Sequence, residues 1–170
     1  MENKILVAYA SKYGSTQEVA DVVATTLREK GLVVDLQPVR KVRSLAGYKA
    51  VVLGAAIYYG LWHKEALNFL ARNEADLSQR PVAVFALGPN STDENERQGS
   101  RAQLDKNLAK FPWLKPVVTE LFGGRFPAKL HFPDSLVAAL PASPMHGLPA
   151  NDVRDWAAIR DWASNLARKL

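Results

Sequence analysis

A strand that runs into a helix through a short loop of hydroxyl residues is the feature of this sequence that most restricts its fold. The apolar run at residues 5–10 predicts a strand that is buried on both faces. Apolar residues then recur at helical spacing from Val19 to Leu27, and Gly31 suits the end of that helix. The loop directs backbone N–H groups at the helix N-terminus, where the helix dipole favours an anion. The stretch therefore predicts a phosphate-binding loop, and a capped helix that binds nothing is the alternative.

The composition of the loop narrows the kind of phosphate. It lacks the Gly-x-x-x-x-Gly-Lys-Ser/Thr pattern, so no lysine is placed to reach the terminal phosphates of a nucleoside triphosphate. The dinucleotide pattern Gly-x-Gly-x-x-Gly is also missing, because only Gly14 lies between strand and helix. The remaining donors are the hydroxyl groups of Ser11, Ser15 and Thr16 and the backbone N–H groups beside them. The loop therefore excludes two large classes of nucleotide-binding protein.

Further apolar runs predict an α/β fold with a parallel sheet. The second strand, at residues 33–39, contains Pro38, which cannot donate to a neighbouring strand and so belongs at a sheet edge. Further strands are predicted at residues 50–56, 82–87 and 117–122, and helices at 63–71, 95–110 and 156–166, with Asp152 or Asp155 as the last N-cap. Alternating strands and helices predict a five-stranded parallel sheet of order 2-1-3-4-5. A ligand is then expected at the carboxyl ends of the first and third strands.

Three loops at that end of the sheet have residues suited to a flat ring. Tyr58 and Tyr59 follow the third strand beside Gly60, whose peptide can rotate, and small residues at 54–56 allow a ring to approach the backbone. Residues 88–92 offer backbone and amide groups that suit the polar edge of a flavin pyrimidine. Glycines at 123 and 124 follow the fifth strand. Packing of the tyrosines in the core is the alternative for the first of these loops.

Four motifs together resemble a known family. They are Val-Ala-Tyr-Ala-Ser-Lys-Tyr-Gly-Ser-Thr, Gly-Ala-Ala-Ile-Tyr-Tyr-Gly, Phe-Gly-Gly and the closing Asp-Trp-x-x-Ile-x-x-Trp-Ala. The combination resembles the flavodoxin-like FMN-binding family, in the branch that includes the menaquinone-dependent protoporphyrinogen oxidase. The resemblance implies a three-layer sandwich and FMN as cofactor. It implies phosphate contacts at Ser11, Tyr13, Gly14, Ser15 and Thr16, and ring contacts at Ala56, Ile57, Tyr58, Tyr59, Gly60, Gly88, Pro89, Asn90 and Ser91. We add Lys12 of the first loop and Gly123 and Gly124 after the fifth strand to the predicted cofactor-binding residues.

The segment at residues 126–149 departs from that branch of the family. It is rich in proline and poor in charge where the protoporphyrinogen oxidase has a long basic and aromatic segment. We expect the segment to form a mobile cover over one side of the site, because active-site lids are among the few reasons for a long irregular segment. Its candidate covering residues are apolar, namely Phe126, Leu130, Phe132, Leu136, Val137 and Leu140. A surface loop with one short helix is the alternative.

The composition restricts the class of protein further. A chain of 170 residues with 48% hydrophobic content predicts a single domain over residues 1–170. The formal charge of +5 comes from scattered Lys and Arg, which does not predict nucleic-acid binding. The chain has no cysteine, and its three histidines lack a ligand spacing, so no metal site is predicted. With no signal peptide and no apolar run long enough for a membrane span, we expect a cytoplasmic protein.

The remaining question is which reaction such a chain performs. A receiver domain needs aspartates where this chain has Ala10 and Ala55, and a serine hydrolase needs a Gly-x-Ser-x-Gly elbow, so both are excluded.

Residues 88–92 supply no aromatic ring, and acids are absent from 55–62 and 87–92, with Asp93 and Glu94 beyond them. An open ring face and little repulsion of a reduced anion favour an enzyme that reduces a small acceptor such as a quinone. In such an enzyme the flavin, and no catalytic side chain, carries the chemistry. The alternative is a one-electron carrier that docks on redox partner proteins, and peripheral contact with a membrane is compatible with either.

Overall fold

The computed structural model describes residues 3–143, 146–148 and 150–170 of the chain. Its strands are β1 (Lys4–Ala10), β2 (Val33–Pro38), β3 (Tyr48–Tyr58), β4 (Leu61–Trp62), β5 (Val82–Leu87), β6 (Val118–Phe122), β7 (Arg125–Phe126) and β8 (Asn151–Asp152). Its α-helices are α1 (Ser15–Glu29), α2 (Lys64–Arg72), α3 (Glu74–Leu77), α4 (Glu94–Leu108), α5 (Asp134–Ala138) and α6 (Trp156–Leu166), and a 3₁₀ turn spans Val39–Lys41. Of the proline-rich segment, Pro144 and Pro149 lie outside the described residues.

The main sheet confirms the predicted order of the five parallel strands. Its order is β2-β1-β3-β5-β6, which corresponds to 2-1-3-4-5 in the sequence prediction. β1 is central, paired in parallel with β2 on one side and β3 on the other. β2 lies at the edge, as Pro38 predicts. This topology brings the carboxyl ends of β1, β3 and β5 together at one edge of the sheet.

Helices cover both faces of this sheet. On one face, Val19 and Leu27 of α1 and Ile159 of α6 pack against β1 and β3. On the other face, Phe69 of α2 and Leu104 of α4 pack against the same strands. The central strands β1, β3 and β5 are almost entirely apolar because they face a hydrophobic core on both sides. The result is the predicted three-layer sandwich.

The structure differs from the sequence prediction around the third strand. The third strand is longer than the predicted 50–56, because β3 continues to Tyr58 and then turns back into β4, which pairs antiparallel with it. Gly54 therefore lies inside a strand, where an added Cβ would lie 1.9 Å from the ring of Phe85. Its small size makes room for core packing and not for a ligand. The sequence also gives no sign of a second small sheet, in which β7 pairs with β8.

Local signals set the ends of several helices. α1 ends in a Schellman motif at Gly31, whose φ is +86°, because Gly31 N–H donates to Arg28 and Leu32 N–H donates to Leu27. Asp155, and not Asp152, caps α6 by accepting a hydrogen bond from Ala158 N–H at 3.0 Å. Among the residues that the structure describes, no helix is long and apolar enough to cross a membrane.

Candidate functional site

A cavity of about 610 Å³ opens at the carboxyl ends of β1, β3 and β5. Its walls come from the loop before α1, the turn between β3 and β4, the first turns of α4, and the segment that follows β6. This is the position that the strand order predicts for a ligand. Its volume is in the range usual for small-molecule sites in proteins, about 300–1,000 Å³.

The loop before α1 leaves the start of that helix open to a ligand. Gly14 takes the left-handed conformation, with φ of +84°, and its N–H donates to the hydroxyl of Ser11 at 2.9 Å. No side chain in the described part of the chain caps α1. The hydroxyl of Thr16 in the first turn is fully buried and has no hydrogen-bond partner among the described residues. Because buried hydroxyls nearly always have a partner, an anion at this helix start would satisfy an otherwise costly group.

Lys12 and Tyr13 of the same loop contact the segment after β7. The ammonium of Lys12 lies 2.5 Å from the Oδ2 of Asp134, and the hydroxyl of Tyr13 donates to that oxygen at 2.5 Å. The ring of Tyr13 packs on that of His131, with the two centroids 4.9 Å apart, and the Tyr13 hydroxyl accepts a hydrogen bond from the backbone N–H of His131. Asp134 is 7% exposed. Its carboxylate thus joins the proline-rich segment to the predicted phosphate loop.

The pKa values of this group follow from burial and charge. Burial and the bond to Asp134 raise the pKa of Tyr13 to about 12. Burial by itself would raise the pKa of Asp134, but the bonds from Lys12 and Tyr13 outweigh it and hold that pKa below its ordinary value. Asp134 is therefore charged and Tyr13 neutral at physiological pH, which is the pair of states that the observed contacts require.

The turn between β3 and β4 forms a second wall of the cavity. Tyr59 and Gly60 both have positive φ, 51° and 77°, which is typical of a tight type I′ hairpin. The indole N–H of Trp62 donates to the backbone oxygen of Ala55 at 2.9 Å and anchors the hairpin from below. Burial raises the pKa of the Tyr58 phenol to about 12, so this side chain is neutral where it lines the cavity.

The loop after β5 is held in place by its neighbours. Gly124 N–H donates to the backbone oxygen of Pro89 at 2.7 Å. The carboxylate of Glu96 accepts from the backbone N–H of Asn90 at 2.7 Å and from the hydroxyl of Ser91. An added Cβ on Gly123 would lie 2.3 Å from the backbone oxygen of Val153, so this glycine serves close packing. The loop therefore presents a fixed backbone edge to the cavity.

The cavity brings together predicted residues from every one of the candidate loops. Those that line it are Tyr13, Ser15, Ala56, Ile57, Tyr58, Tyr59, Gly60, Gly88, Asn90 and Gly124. The other predicted residues lie in the same loops but do not line it, namely Ser11, Lys12, Gly14, Thr16, Pro89, Ser91 and Gly123. The roles of all of them toward a cofactor stay predictions.

Two acidic residues that are not among the predicted site residues line the cavity. Glu96 reaches it from the first turn of α4, and Asp134 from the start of α5. The contact loops themselves contain no acid, as predicted, but a helix start and a distant segment fold back over the site and bring these two acids to it. Gly99, Ser100 and Gln103 of α4 line it too. The polar character of α4, which the sequence places directly after a strand end, is the signal that could have identified this wall.

The proline-rich segment at residues 126–149 covers one side of the cavity with only part of its apolar residues. Phe126, Pro127, Leu130 and Leu148 line the cavity. In contrast, Phe132, Leu136 and Leu140 are more than half exposed. The segment contains one short helix, α5, as the surface-loop alternative predicts, but it also supplies a cavity wall, as the cover requires.

Comparisons with known proteins agree with this architecture. The family model described as flavodoxin domain matches residues 6–131. The protoporphyrinogen IX dehydrogenase [quinone] of Leishmania major is 27% identical over 173 residues, which cover 96% of this chain and 74% of that protein. The Escherichia coli K12 protein of the same name is 29% identical over 86 residues, covering 49% of this chain and 48% of its own length. An NAD(P)H dehydrogenase (quinone) of Afipia carboxidovorans is 32% identical over 89 residues, covering 39% and 45%.

Solved structures show the same fold at lower identity. A single-site mutant of the flavodoxin from Pseudomonas aeruginosa has a TM-score of 0.62 with 17% identity, covering 98% of each chain. A flavodoxin from the domain Archaea has a TM-score of 0.60 with 16% identity, covering 98% of this chain and 97% of its own. At these identities the similarity establishes the three-layer fold alone.

Proposed function

Because this chain belongs to the flavodoxin domain family, we propose that it is an FMN-dependent oxidoreductase that passes electrons from a reductant to a small acceptor such as a quinone. The observation that carries the proposal is the cavity itself. It reaches Ser15 at the open start of α1, next to the buried Thr16 hydroxyl that has no partner in the described part of the chain, and it is partly closed by an apolar cover. The first suits a phosphate, and the second suits a flat apolar molecule.

The phosphate of FMN would be held by neutral donors. The Thr16 hydroxyl and the backbone N–H groups at the start of α1 are suited to a phosphate, and the helix dipole adds to them. Lys12 is paired with Asp134, so phosphate binding by this loop would not depend on a free lysine. Such a site would favour FMN over riboflavin, which lacks the phosphate.

The remaining walls would orient the ring and exclude water. When bound, FMN supplies the electron or hydride transfer. Tyr58 and Tyr59 would form one wall beside the ring, and the loop from Gly88 to Asn90 would meet its polar edge. Phe126, Pro127 and Leu130 would keep water from the side that the acceptor enters.

An apolar cover also bears on the choice of acceptor. Leu130 and Pro127 lie over the cavity, where a protein partner would have to displace the segment before reaching the ring. A small flat molecule can enter beneath it. The names of the relatives, which include quinone dehydrogenases, support the same class of acceptor.

A one-electron carrier is the second candidate, and the two cavity acids favour it. Glu96 and Asp134 would repel an anionic reduced flavin, which weakens the argument for easy two-electron reduction. Lys12 offsets the charge of Asp134, however, and the carboxylate of Glu96 is directed at the neutral backbone and hydroxyl donors of Asn90 and Ser91. Their field in the cavity is reduced accordingly, and the enzyme stays the preferred proposal.

The test begins with the purified chain and FMN. We expect one FMN per chain, and quinone reduction by the reduced holoprotein at rates well above free FMN, with NAD(P)H and protoporphyrinogen IX compared as reductants. Anaerobic reductive titration should give a single two-electron step. Two resolved one-electron steps together with negligible quinone turnover would support the carrier, and failure to bind FMN would overturn both candidates.

A further inference from the structure

Asn107 is a buried polar residue in an unusual position. It lies in the last turn of α4, is 2% exposed, and follows the buried Leu104 by three residues. Asparagine is a poor helix former, and burial of its amide is costly unless its hydrogen bonds are made. An apolar residue here would continue the core-facing stripe of the helix. The amide therefore needs a specific partner to offset its cost.

That partner is the turn that forms a wall of the cavity. The Nδ2 of Asn107 donates to the backbone oxygen of Gln103 at 2.7 Å and to the backbone oxygen of Gly60 at 3.1 Å. The first bond stays within the helix and orients the amide. The second crosses to the tip of the β3–β4 hairpin, 47 residues away in sequence. The carbonyl of Gly60 is thus directed at α4.

The turn needs such a restraint. Tyr59 has φ of 51°, the left-handed region that side chains other than glycine rarely adopt, and Gly60 has φ of 77°. Both residues line the cavity. A strained turn persists only when its surroundings fix it. The side-chain bond from Asn107 reaches the Gly60 peptide directly.

We infer that Asn107 is a positioning residue that fixes the Tyr59–Gly60 turn and thereby the backbone face that this wall presents to the ring of a bound flavin. The inference rests on the proposed function for its ligand. It also limits the free rotation of the Gly60 peptide that the sequence by itself suggests, because rotation would break the bond to Asn107. Asn107 would therefore affect the binding of the flavin ring and not that of the phosphate, which would lie at the start of α1.

Asn107→Ala tests this inference, with Asn73→Ala as a matched control. Asn73 donates from its Nδ2 to the backbone oxygen of Phe69 at 2.8 Å and does not line the cavity. In the ligand-free protein, we expect hydrogen exchange over residues 57–63 to be about fivefold faster in Asn107→Ala, as befits one lost hydrogen bond, and unchanged in Asn73→Ala. This readout needs no cofactor, so it stays informative if FMN does not bind.

With ligands, the signature is specific to the ring. Asn107→Ala should weaken FMN and riboflavin by the same factor, about fivefold, and should change by a similar factor the ratio of affinities for oxidised and reduced FMN that the midpoint potential reports. Asn107→Leu, which keeps the number and branching of the side-chain heavy atoms, should act in the same way and replaces the alanine variant if that does not fold. Unchanged exchange at 57–63 would overturn the inference, and so would faster exchange there with unchanged flavin affinities and an unchanged midpoint potential.

Discussion

Replacing Thr16 with valine will weaken FMN binding by about 1.5–3 kcal/mol, or roughly 10- to 150-fold, and will leave riboflavin binding unchanged. The Thr16 hydroxyl is fully buried in the first turn of α1 without a partner among the described residues. A phosphate at this position would accept a charge-assisted hydrogen bond from the Thr16 hydroxyl. Riboflavin has no phosphate and therefore makes no such bond. Titration of flavin fluorescence on the purified protein measures both affinities.

Thr26→Val is a matched control in the same helix. Its hydroxyl is also buried but donates to the backbone oxygen of Val22 at 2.8 Å, at the far end of α1 from the cavity. The control should leave both flavin affinities unchanged. Equal losses for FMN and riboflavin in Thr16→Val, or equal affinities for the two ligands in the unaltered protein, would contradict the phosphate-loop assignment.

The main features of the fold can be predicted from the sequence because they are local. Runs of apolar residues identify the central strands, Pro38 identifies the edge strand, and the strand order follows from both. The β3–β4 hairpin escapes prediction because its turn places Tyr59 at positive φ, which a sequence pattern does not favour. The sequence assigns Gly54 to a ligand because it does not reveal that the Phe85 ring packs on this glycine.

The site is predictable where a strand end supplies the residue, and not where a distant element folds over it. Tyr58 and Gly88 lie next to strand ends and line the cavity as expected. Asp134 reaches it from more than 100 residues beyond the phosphate loop, and Asn107 acts from the end of a helix. These contacts depend on how segments pack together, which spacing along the chain does not encode.

Asp134→Asn will release the proline-rich segment from the phosphate loop. The change removes the charge that binds Lys12 and Tyr13 while keeping the size of the side chain. Hydrogen bonds to charged groups contribute about 1.5–3 kcal/mol, and the lower end applies because Lys12 is about one-third exposed. We expect hydrogen exchange over residues 127–143 to accelerate about tenfold, with the central strands unaffected. FMN should also dissociate faster, because the segment covers the cavity.

A control and a double mutant isolate this contact. Asp105→Asn breaks a pair with Arg101 that is exposed on α4, so it should change exchange at 127–143 by little or nothing. Lys12→Met should accelerate the same segment, and adding it to Asp134→Asn should have less than the additive effect, since both remove one contact. Additive effects of the two changes would mean that the ion pair does not hold the segment.

The pH dependence of this contact follows from the two pKa shifts. The pKa of Asp134 is lowered in the folded protein, so its contribution is present above the ordinary aspartate value of 3.8 and is lost as the pH falls through the folded value below that. The pKa of Tyr13 is raised from its ordinary value of 10.0 to about 12, so its contribution is complete below pH 10.0 and is lost as the pH rises from there toward about 12. The difference in protection factors between the unaltered protein and Asp134→Asn should therefore be constant from about pH 5 to 8 and shrink below about pH 4. A change near neutral pH would contradict this assignment, because neither Asp134 nor Tyr13 changes charge in that range.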